Sequence, residues 1–376
     1  MRLNLRENLL YLVTRLLARR DRRARAAADY RPERVRRILL VSSTALGDTV
    51  LSTAAMVAMR RRFPVARIAA LIHRDYLPLF RDADFLDEVI PYHGGWRHFI
   101  ATLWRLRRFH PDLALILHGN EPQATPLAYL AGARFIFKLP NTSRFAFLLT
   151  NHAPHPGWAD CGHGLNLRLK IAGLAGAEVA GARMGLPVPA ATRVAVANWL
   201  AGQGVAAADT VIGLQAGASS RGRMWPVAHF VALARQLLAV DPAYRFIITG
   251  APHEGPRCDE IAEGIGFGAV VAAGALPIEM LPALVQRCAV LVTGDTGTLH
   301  MAVAIGVPTV SLFAVSGPAV SGPAYDFDKH IVIHRPAAVT VSSKTDNDRW
   351  MAEIPPEDVL PAVLRLIDSD KEHKHE

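Results

Sequence analysis

The stretch VLVTGDTGTLHMAVAIGVPTVSLF, Val290 to Phe313, places a polar, glycine-rich loop between apolar runs. Residues 290–293 predict a buried strand, residues 299–305 a helix, and residues 308–313 the next strand. In a strand-loop-helix unit of a parallel sheet, the loop lies at the carboxyl end of the strand. Unpaired N–H groups and the positive end of the helix dipole favour an anion there. The stretch therefore predicts an α/β fold with a phosphate-binding loop.

The same alternation of strands and helices extends over most of the chain. It runs from residue 37 to residue 139, including a helix near Tyr76, gives way to a looser stretch over residues 150–191, and restarts near residue 210. Repeated strand-helix-strand units indicate parallel sheets, so we expect two Rossmann-like halves. The predicted domains are a basic N-terminal extension at 1–34, an N-terminal domain at 35–188, a C-terminal domain at 189–348, and a closing helix and tail at 349–376.

The composition indicates a globular protein of two domains. The chain has 376 residues, of which 51% are hydrophobic and 20% charged, enough for two full cores. Its three cysteines, Cys161, Cys258 and Cys288, contain no CxxC pair, so we expect core thiols rather than disulfides or a zinc cluster. Because no apolar run reaches the length of a membrane span or signal peptide, the sequence predicts a cytoplasmic protein.

Positive charge is concentrated at the N-terminus. Residues 1–37 hold 12 arginines against 4 acidic residues, a net +8 of the chain's total of +9. Four leucines there fall on one side of a predicted helix: Leu5, Leu9, Leu12 and Leu16. Such a helix is typical of docking on an anionic membrane surface, and the alternative is a solvated helix packed on its own domain. Nucleic acid is the weakest interpretation, because stacking aromatics are few and no recognition motif follows.

Asp48 lies where the first strand meets the first helix. An aspartate there is commonly an N-cap, which is the structural alternative. The position is also the carboxyl end of the first strand of a doubly wound sheet, where such folds bind ligands. The tripeptide Gly-Asp-Thr, containing Asp48, recurs at residues 294–296 in the second half. Two carboxylates and a helix N-terminus would converge if the halves face each other.

A third candidate element, QAGASSRGRMWP at residues 215–226, follows the first strand of the second half. Its small residues permit close approach to a ligand, and its arginines, Arg221 and Arg223, are suited to gripping phosphate. The alternative is a surface loop with two solvated arginines. Neither loop is a Walker A sequence and no GxGxxG motif opens either half, which disfavours a P-loop ATPase and an ordinary dehydrogenase.

Together these motifs resemble glycosyltransferase family 9, the ADP-heptose:lipopolysaccharide heptosyltransferases, which are inverting enzymes of the GT-B fold. The most specific part is similar to the family pattern D-[ST]-G-P-x-H-x-A-x-A-x-G-x-P-x-V-x-L-F-G. The matching residues are Asp295, Thr296, Gly297, His300, Ala302, Ala304, Gly306, Pro308, Val310, Leu312 and Phe313. The chain departs from the family at Thr298 and Ala216, each in place of a proline, at Ala314 in place of a glycine, and at Arg223 in place of a phosphate-binding lysine.

The resemblance implies a GT-B architecture, with two Rossmann-like domains whose parallel sheets face each other across a cleft. It also implies that Asp48 is the general base for direct displacement at the donor's anomeric carbon. Arg223 and the backbone N–H groups of Thr296, Gly297 and Thr298 would bind the leaving diphosphate. Asp295 would bind the donor sugar. No metal and no cofactor would be needed.

Two further residues carry weaker expectations. His300 reaches the leaving group or sugar in one interpretation and is a packed helix residue in the other. Glu254, in the loop after residues 244–249, is a candidate for the nucleotide's ribose. The implied partners are a nucleotide-sugar donor, a lipid-linked glycan acceptor and the cytoplasmic face of the inner membrane. The alternatives are a non-catalytic nucleotide-sugar-binding protein docked at the membrane and a nucleotide-sugar epimerase.

Overall fold

The computed structural model describes residues 4–21, 26–119, 121–151, 162–337, 345 and 347–375, with side chains through residue 369. The chain divides into two compact units, unit 1 from Met1 to Gly185 and unit 2 from Leu186 to Glu376. Both Cys258 and Cys288 are buried in unit 2, as expected for core thiols, and Cys161 lies outside the described residues. Within the described residues, no helix is both long and apolar enough to cross a membrane.

Unit 1 is a five-stranded parallel sheet covered by helices on both faces. Its strands are β1 (Arg37–Ser42), β2 (Arg67–His73), β3 (Glu88–Tyr92), β4 (Leu113–His118) and β5 (Phe135–Lys138). Its helices are α1 (Leu5–Arg20), α2 (Leu46–Arg62), α3 (Phe99–Phe109), α4 (Ala124–Leu130) and α5 (Gly164–Leu174). The strand order β3-β2-β1-β4-β5 places the reversal of winding between β1 and β4. Both neighbours of β1 run parallel to it.

The sequence of unit 1 accounts for its layers. Ile38, Leu39, Leu40 and Val41 are all buried, as expected for a central parallel strand covered on both faces. Helices α1, α3 and α4 share one core with one face of the sheet, while α2 and α5 pack against each other. The predicted helix near Tyr76 is a 3₁₀ helix over Arg74–Phe80. Pro78 inside it lacks the N–H that an α-helix would use.

Unit 2 is a six-stranded parallel sheet. Its strands are β6 (Val211–Gln215), β7 (Arg245–Thr249), β8 (Ala269–Val271), β9 (Val290–Gly294), β10 (Thr309–Phe313) and β11 (His330–His334). Its helices are α6 (Ala190–Gly202), α7 (Val227–Val240), α8 (Gly255–Ile265), α9 (Leu281–Gln286), α10 (Gly297–Ala304), α11 (Pro318–Ser321), α12 (Arg349–Ala352) and α13 (Pro356–His375). The order β11-β10-β9-β6-β7-β8 places the reversal of winding between β6 and β9.

The stretch that opened the analysis folds as predicted. Strand β9, helix α10 and strand β10 follow one another, and all five residues of each strand are buried. Gly306 has φ of +76° just after α10, a left-handed conformation that glycine adopts without strain. The closing helix α13 packs on unit 2, against α7, β9 and β10. Trp225 joins the same core and donates from its indole nitrogen to the carbonyl of Ile354 at 2.8 Å.

Candidate active site

Asp48 lies beside the point in unit 1 where the direction of winding reverses. It follows β1, and the neighbouring strand β4 ends at His118, which pairs with Ser42 of β1. Ligands of open α/β sheets bind in the crevice at such a point. The N-cap alternative for Asp48 is wrong, because α2 begins at Leu46 with Ala45 as the N-cap and no side chain caps the helix. Asp48 lies in the first turn of α2 instead.

A buried arginine holds one oxygen of that carboxylate. The guanidinium of Arg168, 2% exposed, donates from Nη2 to Oδ1 of Asp48 at 2.7 Å. Its other nitrogens donate to the Ser52 hydroxyl at 3.2 Å and to the Gly164 carbonyl at 2.6 Å. A buried guanidinium with a partner at each of its three nitrogens has little freedom to move, so it fixes both the position and the orientation of the Asp48 carboxyl group.

His118 and Thr44 complete the group around Asp48. The hydroxyl of Thr44 lies 2.5 Å from Nδ1 of His118, and Nε2 of His118 lies 3.5 Å from Oδ1 of Asp48. Burial lowers the pKa of His118; the Asp48 carboxylate opposes this shift and Arg168 adds to it. The lowered pKa favours the neutral imidazole at neutral pH. Because the Asp48 side chain is 30% exposed, its carboxyl group remains accessible from solvent.

In unit 2, Arg223 and Asp295 come together at the corresponding reversal of winding. Arg223 lies in the loop after β6, and Asp295 directly follows β9. Nη1 of Arg223 lies 3.4 Å from Oδ2 of Asp295, whose side chain is 6% exposed, while that of Arg223 is 24% exposed. Arg223 also has a buried Nε with no hydrogen-bond partner among the described residues. The guanidinium thus keeps donor capacity for a further acceptor.

The two loops touch so closely that Gly294 cannot carry a side chain. A Cβ atom there would lie 2.5 Å from the carbonyl oxygen of Arg223. On the other side of the Arg223 loop, a Cβ atom at Gly217 would lie 1.7 Å from Oε2 of Glu254. Glycine at both positions therefore permits a close approach of backbone to neighbouring atoms. These contacts fix Arg223 next to the start of α10.

Helix α10 presents its N-terminus at the same place. Thr296 is the N-cap, and no side chain caps the helix. Gly297 and Thr298 occupy the first turn, where an α-helix offers the backbone N–H groups no carbonyl partner. The side chain of Thr298 is buried, whereas Thr296 and Gly297 are half-buried. This end of the helix suits an anion next to the Arg223 guanidinium.

Glu254 and His300 are buried, as are Asp295 and Thr298. Oε2 of Glu254 accepts from the backbone N–H of Ala251 at 2.6 Å, and the side chain packs on Gly217. The structure therefore gives Glu254 a role in shaping its own loop. His300, 5% exposed, lies in the second turn of α10. Roles at the ribose and at the leaving group stay predictions for these two residues.

Sequence reasoning missed Arg168 and His118. His118 was recognisable in principle, because it ends strand β4. Ligand sites of doubly wound sheets lie at the carboxyl ends of their strands, which is the rule that also identified Asp48. Arg168 gave a weaker signal, because α5 also contains Lys170, and the sequence does not show which of the two cations is buried and paired. Its partner lies 120 positions away in the chain, at Asp48, so only the folded structure identifies the pair.

Comparisons with known proteins match this arrangement to one family. The model of glycosyltransferase family 9 (heptosyltransferase) matches residues 179–351. The chain is 28% identical over 105 residues to lipopolysaccharide heptosyltransferase 2 of Escherichia coli strain K12. That alignment covers 27% of this chain and 30% of the relative, so the matched region spans less than a third of the relative's length.

Two solved structures share the fold over nearly their whole length. A glycosyl transferase family 9 protein from Veillonella parvula has a TM-score of 0.76 at 20% identity, covering 89% of this chain and 97% of its own. The E. coli ADP-heptose lps heptosyltransferase II has a TM-score of 0.74 at 21% identity, covering 89% and 99%. The predicted α/β fold of the GT-B type, with a parallel sheet in each half, is thereby confirmed. The chain is thus similar to glycosyltransferase family 9 over residues 179–351, and it shares the fold of these two structures.

Proposed function

We propose that the protein is an inverting glycosyltransferase that moves a heptose-type sugar from a nucleotide diphosphate donor to a lipopolysaccharide-core or related glycan. ADP-heptose is the proposed donor, since the similar E. coli protein is described by that sugar nucleotide. The observation that carries the proposal is the placement of chemistry in each unit. A held carboxylate lies at the reversal of winding in unit 1, and a guanidinium beside a helix N-terminus lies at that of unit 2.

In this proposal, Asp48 accepts the proton of the acceptor hydroxyl as that oxygen attacks the anomeric carbon. Its Oδ1 accepts from Arg168, and Oδ2, which accepts from the Thr44 hydroxyl at 3.3 Å, is the oxygen that would take the proton. Arg168 is a positioning residue, because it acts on the reaction only through Asp48. Holding the base in one orientation reduces the entropy that the reaction would otherwise lose at this step.

The donor's diphosphate would bind in unit 2. Arg223 donates to the phosphate oxygens, and the first turn of α10 supplies backbone N–H groups and the positive end of the helix dipole. As the bond to the anomeric carbon breaks, negative charge grows on the diphosphate, and these fixed donors stabilise it. Asp295, already beside Arg223 at 3.4 Å, would accept hydrogen bonds from sugar hydroxyls.

Arginine and histidine side chains around His93, which directly follows β3, support an anionic glycan as the acceptor. The members are His73, Arg74, His93, His98 and Arg105. The rings of His93 and His98 lie 5.2 Å apart, and that of His73 lies 5.5 Å from Tyr76, which hydrogen-bonds the backbone of Leu46 two positions before Asp48. Burial and then the surrounding cations lower the pKa of His93. Asp75 already lies 3.4 Å from His73 and 3.3 Å from Arg74, and carboxylates or phosphates of an acceptor would accept hydrogen bonds from the same kind of donors.

The experiment that tests the function supplies purified protein with a panel of nucleotide sugars and lipid A-core acceptors. We expect mass spectrometry to find one added sugar on the acceptor, with ADP-heptose as the preferred donor. Recovery of the label as an isomer of the donor would indicate an epimerase instead. Nucleotide-sugar binding with no product of either kind across the panel would favour a non-catalytic binding protein.

Transfer should survive excess EDTA. In the proposed site, a guanidinium and a helix N-terminus supply the positive charge that a divalent ion supplies in many other transferases. The measurement is the initial rate with and without the chelator, using a metal-dependent glycosyltransferase as the control. A loss of rate that added Mg²⁺ or Mn²⁺ restores would contradict this arrangement.

We also propose that α1 docks the protein on the cytoplasmic face of the inner membrane. Leu10 and Thr14 bury one side of α1 against unit 1, and Tyr11 meets the rings of Phe145 and Phe147 edge-on. The predicted leucine stripe lies outside this contact: Leu5, Leu9, Leu12 and Leu16 are 86%, 63%, 57% and 55% exposed. The helix thus packs on its own unit and still offers an apolar face, so the two interpretations of the sequence are compatible.

Replacing Leu9 and Leu16 by glutamate should weaken binding to anionic vesicles at least about tenfold, because two leucine side chains no longer transfer from water into lipid. These substitutions are preferable to deleting residues 1–34, because deletion would remove Leu10 from the core of unit 1. Cosedimentation with phosphatidylglycerol vesicles measures the effect, and Val65→Glu, at an 86% exposed site of the same unit, is the control. Unchanged binding by the double variant would exclude docking through α1.

A further inference from the structure

Helix α3 presents a second exposed apolar face on unit 1. One side of α3 is buried through Phe99, Thr102, Leu106 and Phe109. On the opposite side, Ile100 and Trp104 lie one turn apart and are 60% and 68% exposed. Large aromatic and β-branched side chains at such exposure contribute nothing to the core of unit 1. The fold of unit 1 therefore does not account for them.

Arginines surround these two side chains. Four exposed residues share this segment: Arg97, Arg105, Arg107 and Arg108. The sequence from residue 96 to residue 110 contains no aspartate or glutamate. A tryptophan beside long cationic side chains is typical of the boundary between lipid headgroups and acyl chains, where the indole is half apolar and the arginines meet phosphates. The charge of this face is complementary to an anionic bilayer.

The position of α3 in unit 1 relates this face to α1. Helices α1, α3 and α4 cover the same face of the sheet, since all three contribute to one core with it. Helix α4 contacts both of the others, and its residues 124–129 are buried. Arg107 fastens α3 to this layer by donating to the Leu130 carbonyl at 3.0 Å. The exposed sides of α1 and α3 therefore both face away from the same side of the sheet.

We propose that Ile100, Trp104 and the neighbouring arginines of α3 form a second contact with an anionic bilayer. The inference rests on the proposed docking through α1 and extends it to two helices. One helix leaves unit 1 free to rotate about a single contact, whereas two separated contacts fix its orientation on the surface. Once α1 is bound, α3 meets lipid at high effective concentration, so each contact strengthens the other.

The test uses the full chain with Ile100→Glu and Trp104→Glu together. We expect binding to vesicles of phosphatidylethanolamine and phosphatidylglycerol to fall at least about tenfold, as for the α1 variant. Phe267→Glu, at an 84% exposed aromatic residue of unit 2, is the matched control and should bind as the parent does. Binding by the α3 variant equal to that of the parent would overturn the proposal.

A second measurement tests the position of Trp104 directly and does not depend on a loss of vesicle binding. Brominated phospholipids quench tryptophans that enter the acyl region, so parent protein on such vesicles should lose more fluorescence than Trp104→Phe does. Equal quenching of the two proteins would show that Trp104 stays in water and would overturn the proposal. The parent could instead self-associate as its concentration rises, and the double glutamate variant could abolish this association without changing vesicle binding. That result would assign the face to a second copy of the chain and would also overturn the proposal.

Failure of this inference is distinguishable from failure of the proposed function. Ile100 and Trp104 take no part in the site at Asp48 or in the site at Arg223, so the α3 variant should transfer sugar to a delipidated, water-soluble acceptor at the parent rate. No transfer by the parent to that acceptor would count against the function. Parent-like transfer together with parent-like vesicle binding by the variant would count against the α3 contact alone.

Discussion

Replacing Asp48 by asparagine should lower kcat about 10²- to 10⁴-fold, the usual contribution of a positioned general base. Asparagine keeps the size of the side chain, and its amide oxygen still accepts from Arg168. It cannot take the proton of the acceptor hydroxyl. The affinity for the donor nucleotide should stay close to that of the parent, because Asp48 belongs to unit 1 and the proposed diphosphate site to unit 2. The measurements are kcat, nucleotide Kd and Tm.

The alternative to a catalytic role for Asp48 is a purely structural ion pair with Arg168. A variant of Arg168 serves as the control for this alternative. Arg168→Met removes the same ion pair but leaves the carboxylate in place, so it separates the loss of the pair from the loss of the base. Because Arg168 is 2% exposed, Asp48→Asn weakens a buried charge-assisted hydrogen bond, and we expect a lower Tm from a loss of about 1.5–3 kcal/mol. Asp48→Asn should still lose far more kcat than Arg168→Met. Equal losses in the two variants would make Asp48 an anchor for α5 and not a base.

Replacing Arg223 by alanine should weaken binding of the nucleotide diphosphate about tenfold to a hundredfold, which corresponds to a charged hydrogen bond of about 1.5–3 kcal/mol. A smaller fall in kcat should accompany it, since charge on the diphosphate grows in the transition state and the contact strengthens there. Calorimetry with ADP and steady-state kinetics measure the two effects. Tm is measured as well, because Arg223→Ala removes the ion-pair partner of the Asp295 carboxylate, whose side chain is 6% exposed, and should lower the stability of unit 2.

The same loop supplies a matched control in Arg221. Its side chain is 66% exposed and lies 3.7 Å from a carboxylate oxygen of Asp348, so Arg221→Ala removes an equal charge two residues away. We expect little change in ADP affinity from it. Arg223→Lys should fall between the parent and Arg223→Ala, because lysine restores the charge but not the two-pronged geometry. Equal weakening by Arg221→Ala and Arg223→Ala would indicate a general effect of charge and would contradict a specific phosphate contact.

The regular part of the fold followed from periodicity. Runs such as residues 38–41 and 290–294 are short, apolar and bounded by turn residues, so the parallel strands could be recognised one at a time. Positions at strand ends then located Asp48 and Asp295 without a structure, because ligand sites of doubly wound sheets cluster there. Helix α2 begins at Leu46, two residues before the junction of strand and helix predicted at Asp48, which excludes the capping role for Asp48.

Other features depend on contacts between distant parts of the chain. Helix α6 lies in a stretch rich in alanine for which the sequence analysis predicted no element, and β11 begins and ends in histidine. Strand β11 forms because β10 offers it a parallel edge, with Thr309 opposite His330. In the same way, the pairing of Arg168 with Asp48 depends on the packing of α5 against α2. Local sequence patterns carry no information about such partners.

Glycosyl transfer by this protein is tested most directly by the stoichiometry of the products in a single reaction mixture. The mixture contains the parent protein, ADP-heptose labelled at its anomeric carbon, and a lipid A-core acceptor. We expect one ADP to be released for each labelled sugar that is bonded to the acceptor. NMR should show that the configuration at the labelled carbon is inverted. The Asp48→Asn protein should bind ADP as the parent does and form the same product at a rate lower by about 10²-fold or more. Release of ADP without sugar on the acceptor, or return of the label in an isomer of the donor, would contradict glycosyl transfer as the function of this protein.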